Sequence, residues 1–281
     1  MSRRPVLPNF LVIGAAKSGT TSLAHYLRTH PQAYMPRFEP HYFTAERRWR
    51  LGRAWYENQF REAGSAVAVG EKSASYSRHP LYQGVPGRIA ALLPDVRIVY
   101  LVRHPLHRMR SEYLHRLLNG KEARPLDEAV QADPSYLDTS RYALQIDRYL
   151  EHFTSEQLLV LTAEQLLHAR RASLDRVQEF LGLDRSWQPS ELDREYNSTA
   201  RKQARRPVTR PIKRLLDASL HLGVSPRTAE RLSYRSVATK VDQSRIVFSD
   251  VVRAGLEKEL GDDVRRLRRY LGSEFDGWGI V

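Results

Sequence analysis

Residues 10–22, Phe-Leu-Val-Ile-Gly-Ala-Ala-Lys-Ser-Gly-Thr-Thr-Ser, constrain the fold more than any other stretch of the chain. Phe10, Leu11, Val12 and Ile13 form a continuous apolar run, which suits a strand covered on both faces of a parallel sheet. Gly14 and Gly19 permit a tight turn, and Leu23, Tyr26 and Leu27 at helical spacing place a helix over residues 21–28, stopped by His30-Pro31. A strand that feeds a turn and then a helix gathers backbone N–H groups at the positive end of the helix dipole, where an anion is stabilised. Lys17 adds a point charge there, and Ser18, Thr20, Thr21 and Ser22 add hydroxyl donors. In the common nucleoside triphosphate loop the lysine follows the second glycine, with a magnesium-binding hydroxyl beside it. Here Lys17 precedes Gly19, which argues against a magnesium-ATP loop. On these residues alone a simple glycine-containing turn is the other reading.

The pattern repeats along the chain. Strands are expected at residues 66–69, 97–102 and 158–162. Helices are expected at 105–118, where Pro105 fits a first turn, and at 172–181, closed by Gly182. Alternating strands and helices predict an α/β fold: a P-loop-like parallel sheet with helices on both faces, a three-layer sandwich. Ligands of such sheets gather at the carboxyl ends of the strands. Three polar clusters are expected just there: residues 17–21, 71–73, and Arg103 with His104. A single domain over residues 1–281 is expected, with a core at 9–183 and a basic, helical portion at 184–281.

Composition narrows the chemistry. There is no cysteine, which removes disulfides, thiolate metal sites and a cysteine nucleophile. No apolar run approaches a membrane span, and the N-terminus lacks a secretory apolar region, so no transmembrane segment and a cytoplasmic location are expected, with peripheral membrane contact left open. A net charge of +13 favours an anionic partner. Residues 201–214 hold seven basic residues and no acidic one, which reads either as a solvated linker or as a segment ordered by an anion. Residues 212–222 suit a basic amphipathic helix and 251–271 a terminal helix.

Taken together these residues resemble the sulfotransferases that use 3′-phosphoadenosine 5′-phosphosulfate (PAPS), in the branch of heparan sulfate sulfotransferases and their small bacterial relatives. Residues 14–23, Gly-Ala-Ala-Lys-Ser-Gly-Thr-Thr-Ser-Leu, look like that family's 5′-phosphosulfate loop. Residues 97–105, Arg-Ile-Val-Tyr-Leu-Val-Arg-His-Pro, followed by Arg108, Ser111 and Tyr113, look like its 3′-phosphate motif. Glu39-Pro-His41-Tyr-Phe is similar to the segment that supplies the base in the heparan branch, and residues 71–76, Glu-Lys-Ser-Ala-Ser-Tyr, are similar to a Lys-Thr-Pro-x-Tyr segment. The four motifs, in family order, span residues 9–183.

The resemblance implies transfer of a sulfuryl group from PAPS to a hydroxyl or amine of a carbohydrate, glycolipid or secondary-metabolite acceptor, with no metal. Lys17 would stabilise the leaving phosphate, Glu39 would act as base, and His41 would assist it or bind the acceptor, as would Lys72. The nucleotide would be held by Lys17, Ser18, Gly19, Thr20, Thr21, Ser22, Arg103 and Ser111, with Arg201 and Lys202 closing over it. Glu39 paired with Arg37, Lys72 paired with Glu71 or Glu39, and His104 as the base are the competing readings. Two further classes stand beside this one. A P-loop kinase would need a magnesium-holding Asp after a strand, and Asp95 precedes one. A nucleic-acid or anionic-surface binder would explain the charge, but basic residues and aromatics are not interleaved, so no nucleic-acid partner is expected. Oligomeric state is not readable from the sequence.

Overall fold

The computed structural model describes residues 6–44, 46–189 and 242–281, with the backbone of two short strands at 205–207 and 234–236. Strand β1 (Phe10–Gly14) is central and wholly buried, as its apolar run predicts. It pairs in parallel with β3 (Ala68–Lys72) on one side and β4 (Arg97–Val102) on the other. The short β2 (Ala33–Tyr34) lies outside β3, and β5 (Leu158–Thr162) outside β4, giving the order β2-β3-β1-β4-β5. In chain order the helices are α1 (Thr20–Thr29), α2 (Glu46–Trp49), α3 (Gly52–Asn58), α4 (Val85–Leu92) and α5 (Pro105–Leu118). They continue with α6 (Leu126–Ala132), α7 (Ser135–Asp138), α8 (Tyr142–Leu150), α9 (Ala163–His168), α10 (Arg170–Leu181) and α11 (Asp250–Leu271).

Side chains alternate across the sheet and divide the core in two. Phe10, Val12, Val99 and Leu101 meet Leu23 and Leu27 of α1 and Leu174, Val177 and Leu181 of α10. Leu11, Ile13, Ile98 and Tyr100 meet Tyr56 of α3, Tyr142, Ile146 and Tyr149 of α8, and Leu267 of α11. The three-layer α/β sandwich expected from the alternating pattern is therefore present. A third cluster joins Leu106, Met109 and Tyr113 of α5 to Leu256, Leu260 and Val264 of α11. Asp263 of α11 accepts the N–H groups of Ala143 and Leu144 at 3.0 and 2.9 Å, satisfying donors that the first turn of α8 leaves open.

Some elements differ from expectation. The strand expected at 66–69 lies at Ala68–Lys72, so Glu71 and Lys72 are inside it rather than after it, and both are buried. A carboxyl group is tolerated there because Tyr56, Tyr76 and Ser73 all donate hydroxyl hydrogen bonds to it, though burial outweighs them and raises its pKa to about 7. The helix expected from residue 172 begins at Arg170 and follows the separate α9, whose N-terminus is capped by Thr162 and Gln165. The terminal helix expected at 251–271 is α11. The helix expected at 212–222 lies outside the described residues. So does most of the basic stretch at 201–214, where the backbone of β6 (Arg205–Pro207) pairs antiparallel with β7 (Tyr234–Ser236).

Candidate active site

The turn after β1 is built for close approach. Gly14 has φ 148°, and a Cβ there would stand 2.0 Å from Ser77 Oγ. Lys17 and Gly19 adopt left-handed φ values of 73° and 86°, which curl the chain before α1 begins at Thr20. Arg103, just past the end of β4, donates from Nη1 to the Lys17 carbonyl at 3.1 Å and braces the turn. Ser18 is fully buried, and its Oγ has no hydrogen-bond partner among the described residues.

A cleft of about 890 Å³ opens at the carboxyl ends of β1, β3 and β4. Lys17, Gly19, Thr20, Thr21 and Ser22 line it from the turn, Glu39 and His41 from the loop after β2, Lys72 from β3, and Arg103 and Ser111 from the α5 side. The structure thus brings these expected site residues to one cavity. Ser18 lies beneath the turn rather than in the cleft wall. Arg201 and Lys202 fall outside the described residues. Among the described residues, no group of three or more His, Cys, Asp or Glu is placed to hold a metal ion, and no helix is long and apolar enough to cross a membrane.

One ammonium joins the two sides of the cleft. Lys72 Nζ lies 2.7 Å from Glu39 Oε1 and donates to Thr21 Oγ1 at 3.2 Å. Of the competing readings for Lys72, pairing with Glu39 is the one observed. Glu39 Oε2 accepts the Ala74 N–H at 3.2 Å and lies 3.7 Å from His41 Nε2. The His41 ring is also held at Nδ1, 2.7 Å from Ser75 Oγ. Burial lowers the His41 pKa, Glu39 opposes the shift, and Arg48 and Lys72 reinforce it, so His41 is neutral at pH 7. Neutral imidazole beside a carboxylate can accept or relay a proton.

The wall formed by α5 presents His107, Arg110, Ser111 and Glu112 to the cleft. Ser111 is buried two turns into the helix. Arg108 is turned away from solvent, with Nε donating to Ser140 Oγ at 2.6 Å and a second bond to the Tyr136 carbonyl. Glu112 is buried too. Desolvation raises its pKa, but the fields of Arg108, Lys17 and Arg78 and a hydrogen bond from Arg116 outweigh it and hold the carboxyl at about 2. His104 is pushed down to about 4 by burial, His107, Arg103 and Arg253. It packs against His107 and Trp278 and is not part of the cleft wall, which sets it aside as the base.

Several wall residues are not among those singled out from the sequence. Arg78, His107, Arg110, Glu164, Arg170 and Gln243 all line the cleft. Arg110 also donates to the backbone carbonyls of Ile246 and Gln243, tying the C-terminal portion to the cleft. Arg110 and Ser111 sit one residue apart on α5, so the spacing after Arg103-His104-Pro105 could have found Arg110; contacts from residue 243 could not be read from spacing. Lys17, Lys72, Arg78, Arg103, Arg110 and Arg170 line this wall together with Glu39, Glu112 and Glu164, and the excess of cations fits a multiply charged phosphate ligand.

Comparison with known proteins gives the chain a family. Mouse heparan sulfate glucosamine 3-O-sulfotransferase 3B1 is 32% identical over 188 residues, which cover 64% of this chain and 47% of that protein. The mouse bifunctional heparan sulfate N-deacetylase/N-sulfotransferase 4 is 30% identical over 206 residues, 66% of this chain and 23% of that protein. The chain therefore matches about half or less of the length of these curated relatives. The crystal structure of a sulfotransferase from Alicyclobacillus acidocaldarius shares the fold, with a TM-score of 0.69 at 23% identity over 97% of this chain and 99% of that one. The family model of the sulfotransferase domain matches residues 7–209, past residue 183 where the motif resemblance ends. That span is most of the chain, and the chain belongs to the sulfotransferase domain family.

Proposed function

We propose that this protein transfers a sulfuryl group from PAPS to a hydroxyl or amine of a carbohydrate, glycolipid or secondary-metabolite acceptor. The observation that carries the reading is the position of Lys72, which touches Glu39 on one side and Thr21 of the phosphate turn on the other. A proton acceptor and a phosphate cradle share one cation, so attack and departure occur on either side of it.

The turn residues Lys17, Gly19, Thr20, Thr21 and Ser22 would hold the 5′-phosphate end, with Arg103 and Ser111 toward the 3′-phosphate. The cosubstrate supplies the sulfur electrophile: the bond from sulfur to the phosphate oxygen breaks as the bond from the acceptor oxygen or nitrogen to sulfur forms. Glu39 takes the proton that the acceptor loses. Lys72 holds the Glu39 carboxylate in place, and His41, neutral at pH 7, orients it or receives the proton onward. Lys17 and the turn N–H groups sit where negative charge grows on the departing phosphate. The names of the curated relatives point to a glycan hydroxyl or amine as the first acceptor to try.

Calorimetric titration with adenosine 3′,5′-bisphosphate, with ADP and magnesium as control, tests the reading. Preferential binding of the bisphosphate is expected, with Glu39→Gln binding it equally and transferring nothing in an acceptor screen. Preference for ADP with magnesium would overturn the reading in favour of a kinase.

A further inference from the structure

Glu71 takes no part in the chemistry described above, yet it is among the most completely buried ionisable groups of the described structure. Three hydroxyls donate to its carboxylate: Tyr56 and Tyr76 to Oε1 at 2.6 and 2.7 Å, and Ser73 to Oε2 at 2.7 Å. Two of those hydroxyls also accept. Ser73 Oγ receives the backbone N–H of His41 at 3.1 Å, and Tyr76 Oη receives that of Tyr42 at 3.0 Å. Each hydroxyl has one proton, and donating it to Glu71 leaves the oxygen lone pairs free to accept from the loop.

The loop needs such a hold. His41 has φ 51°, a left-handed conformation that is unfavourable for a non-glycine residue and persists only where its surroundings fix it. The segment after β3 grips this loop at successive points. Ala74 N–H reaches Glu39, Ser73 Oγ the His41 backbone, Ser75 Oγ the His41 ring, and Tyr76 Oη the Tyr42 backbone. Two of these four contacts run through hydroxyls whose direction Glu71 sets.

We infer that Glu71 is a positioning residue: through the Ser73 and Tyr76 hydroxyls it holds the left-handed turn at His41 and so presents Glu39 and His41 to the acceptor. The catalytic consequence rests on the functional reading above; the structural one does not.

The test uses Glu71→Gln, Ser73→Ala and Tyr76→Phe in the full chain. Glutamine keeps the shape of Glu71 but replaces one acceptor oxygen by an amide donor, which must face either Ser73 or the two tyrosines. Each of the other two variants removes a single hydroxyl link to the loop. Thermal melting and titration with adenosine 3′,5′-bisphosphate establish that the fold and the phosphate turn persist. Imidazole nitrogen NMR, with the His41 signals assigned through His41→Gln, then reports the loop directly.

In the folded variants the His41 signals are expected to move while bisphosphate affinity stays within about threefold of the parent. Sulfuryl transfer is expected to fall more than tenfold, and Glu71→Gln/Ser73→Ala to be no slower than Glu71→Gln alone, because both act through one hydrogen-bond chain. Unmoved His41 signals in Glu71→Gln and Ser73→Ala would overturn the proposal. So would losses that multiply in the double variant, or bisphosphate affinity that falls in step with the rate. If Glu71→Gln does not fold, Ser73→Ala and Tyr76→Phe carry the same readout. If the parent chain transfers no sulfuryl group, the functional reading fails while the NMR result still decides the role of Glu71.

Discussion

Lys72 shows how one side chain can serve two partners. Its ammonium is buried to about nine-tenths and contacts both Glu39 and Thr21. Lys72→Met should leave the Glu39 carboxylate without its closest cation and free to turn from the acceptor, and kcat/KM should fall by roughly a hundredfold, the lower end of what a positioned base contributes. Bisphosphate affinity should fall far less, because Lys17 and Arg103 remain in the cleft; comparing transfer rates with calorimetric affinities checks the split. Lys17, Lys72 and Arg103 were legible as polar residues at strand ends, whereas Glu39, His41 and Ser111 were singled out only through the resemblance to the sulfotransferase motifs. Spacing gave Lys72 two acidic partners and could not choose. The choice depends on which face of β3 each residue occupies: Glu71 and Lys72 are neighbours in a strand, so they point to opposite sides, one to the tyrosine cluster and the other to the cleft.

Helix α5 illustrates a different limit. Its apolar spacing and its proline start were legible, and so were its bounds. The partners of its charged residues were not, since Glu112 is held by Arg108 and Arg116 on the same helix but also by the fields of Lys17 and Arg78 from distant segments. This arrangement has a consequence for stability. The folded Glu112 carboxyl titrates at about 2 against an ordinary value of 4.5, so its contribution is complete above pH 4.5 and is lost as pH falls toward 2. Its size is about 3 kcal/mol. Urea unfolding at pH 7 and pH 3 should show a large drop for the parent chain and a smaller one for Glu112→Gln, whose midpoint at pH 7 should already be lower. His104 and Glu71 act at milder pH and in opposite senses. With His104 at about 4 in the fold, stability declines as pH falls from 6.5; with Glu71 at about 7, stability declines as pH rises from 4.5 to 7. The two slopes offset one another between about pH 4.5 and 6.5.

Across the protein, a charge of +13 and a cleft lined by six cations and three carboxylates act together. Affinity for the bisphosphate should fall by about tenfold between ~0.05 and ~0.5 M salt, while adenosine, which has no charge, should respond little. A salt-independent bisphosphate affinity measured by calorimetry would contradict this electrostatic account. Four of the five strands of the described sheet were legible, because strand and helix periods alternate clearly; the two-residue edge strand β2 is too short to show a period. The closing of the cleft by Gln243 and the packing of α11 on α8 were not, because they join segments about a hundred residues apart through ordinary leucines, arginines and an aspartate. Finally, Gly14 and Ser77 meet so closely that any side chain at position 14 would collide with the serine hydroxyl, which itself bonds to the Ile13 carbonyl at 3.1 Å. For directed evolution this seam is closed ground: libraries that randomise it would return mostly unfolded clones, because a change of size there presses on the hydroxyl that ties residue 77 to the end of β1.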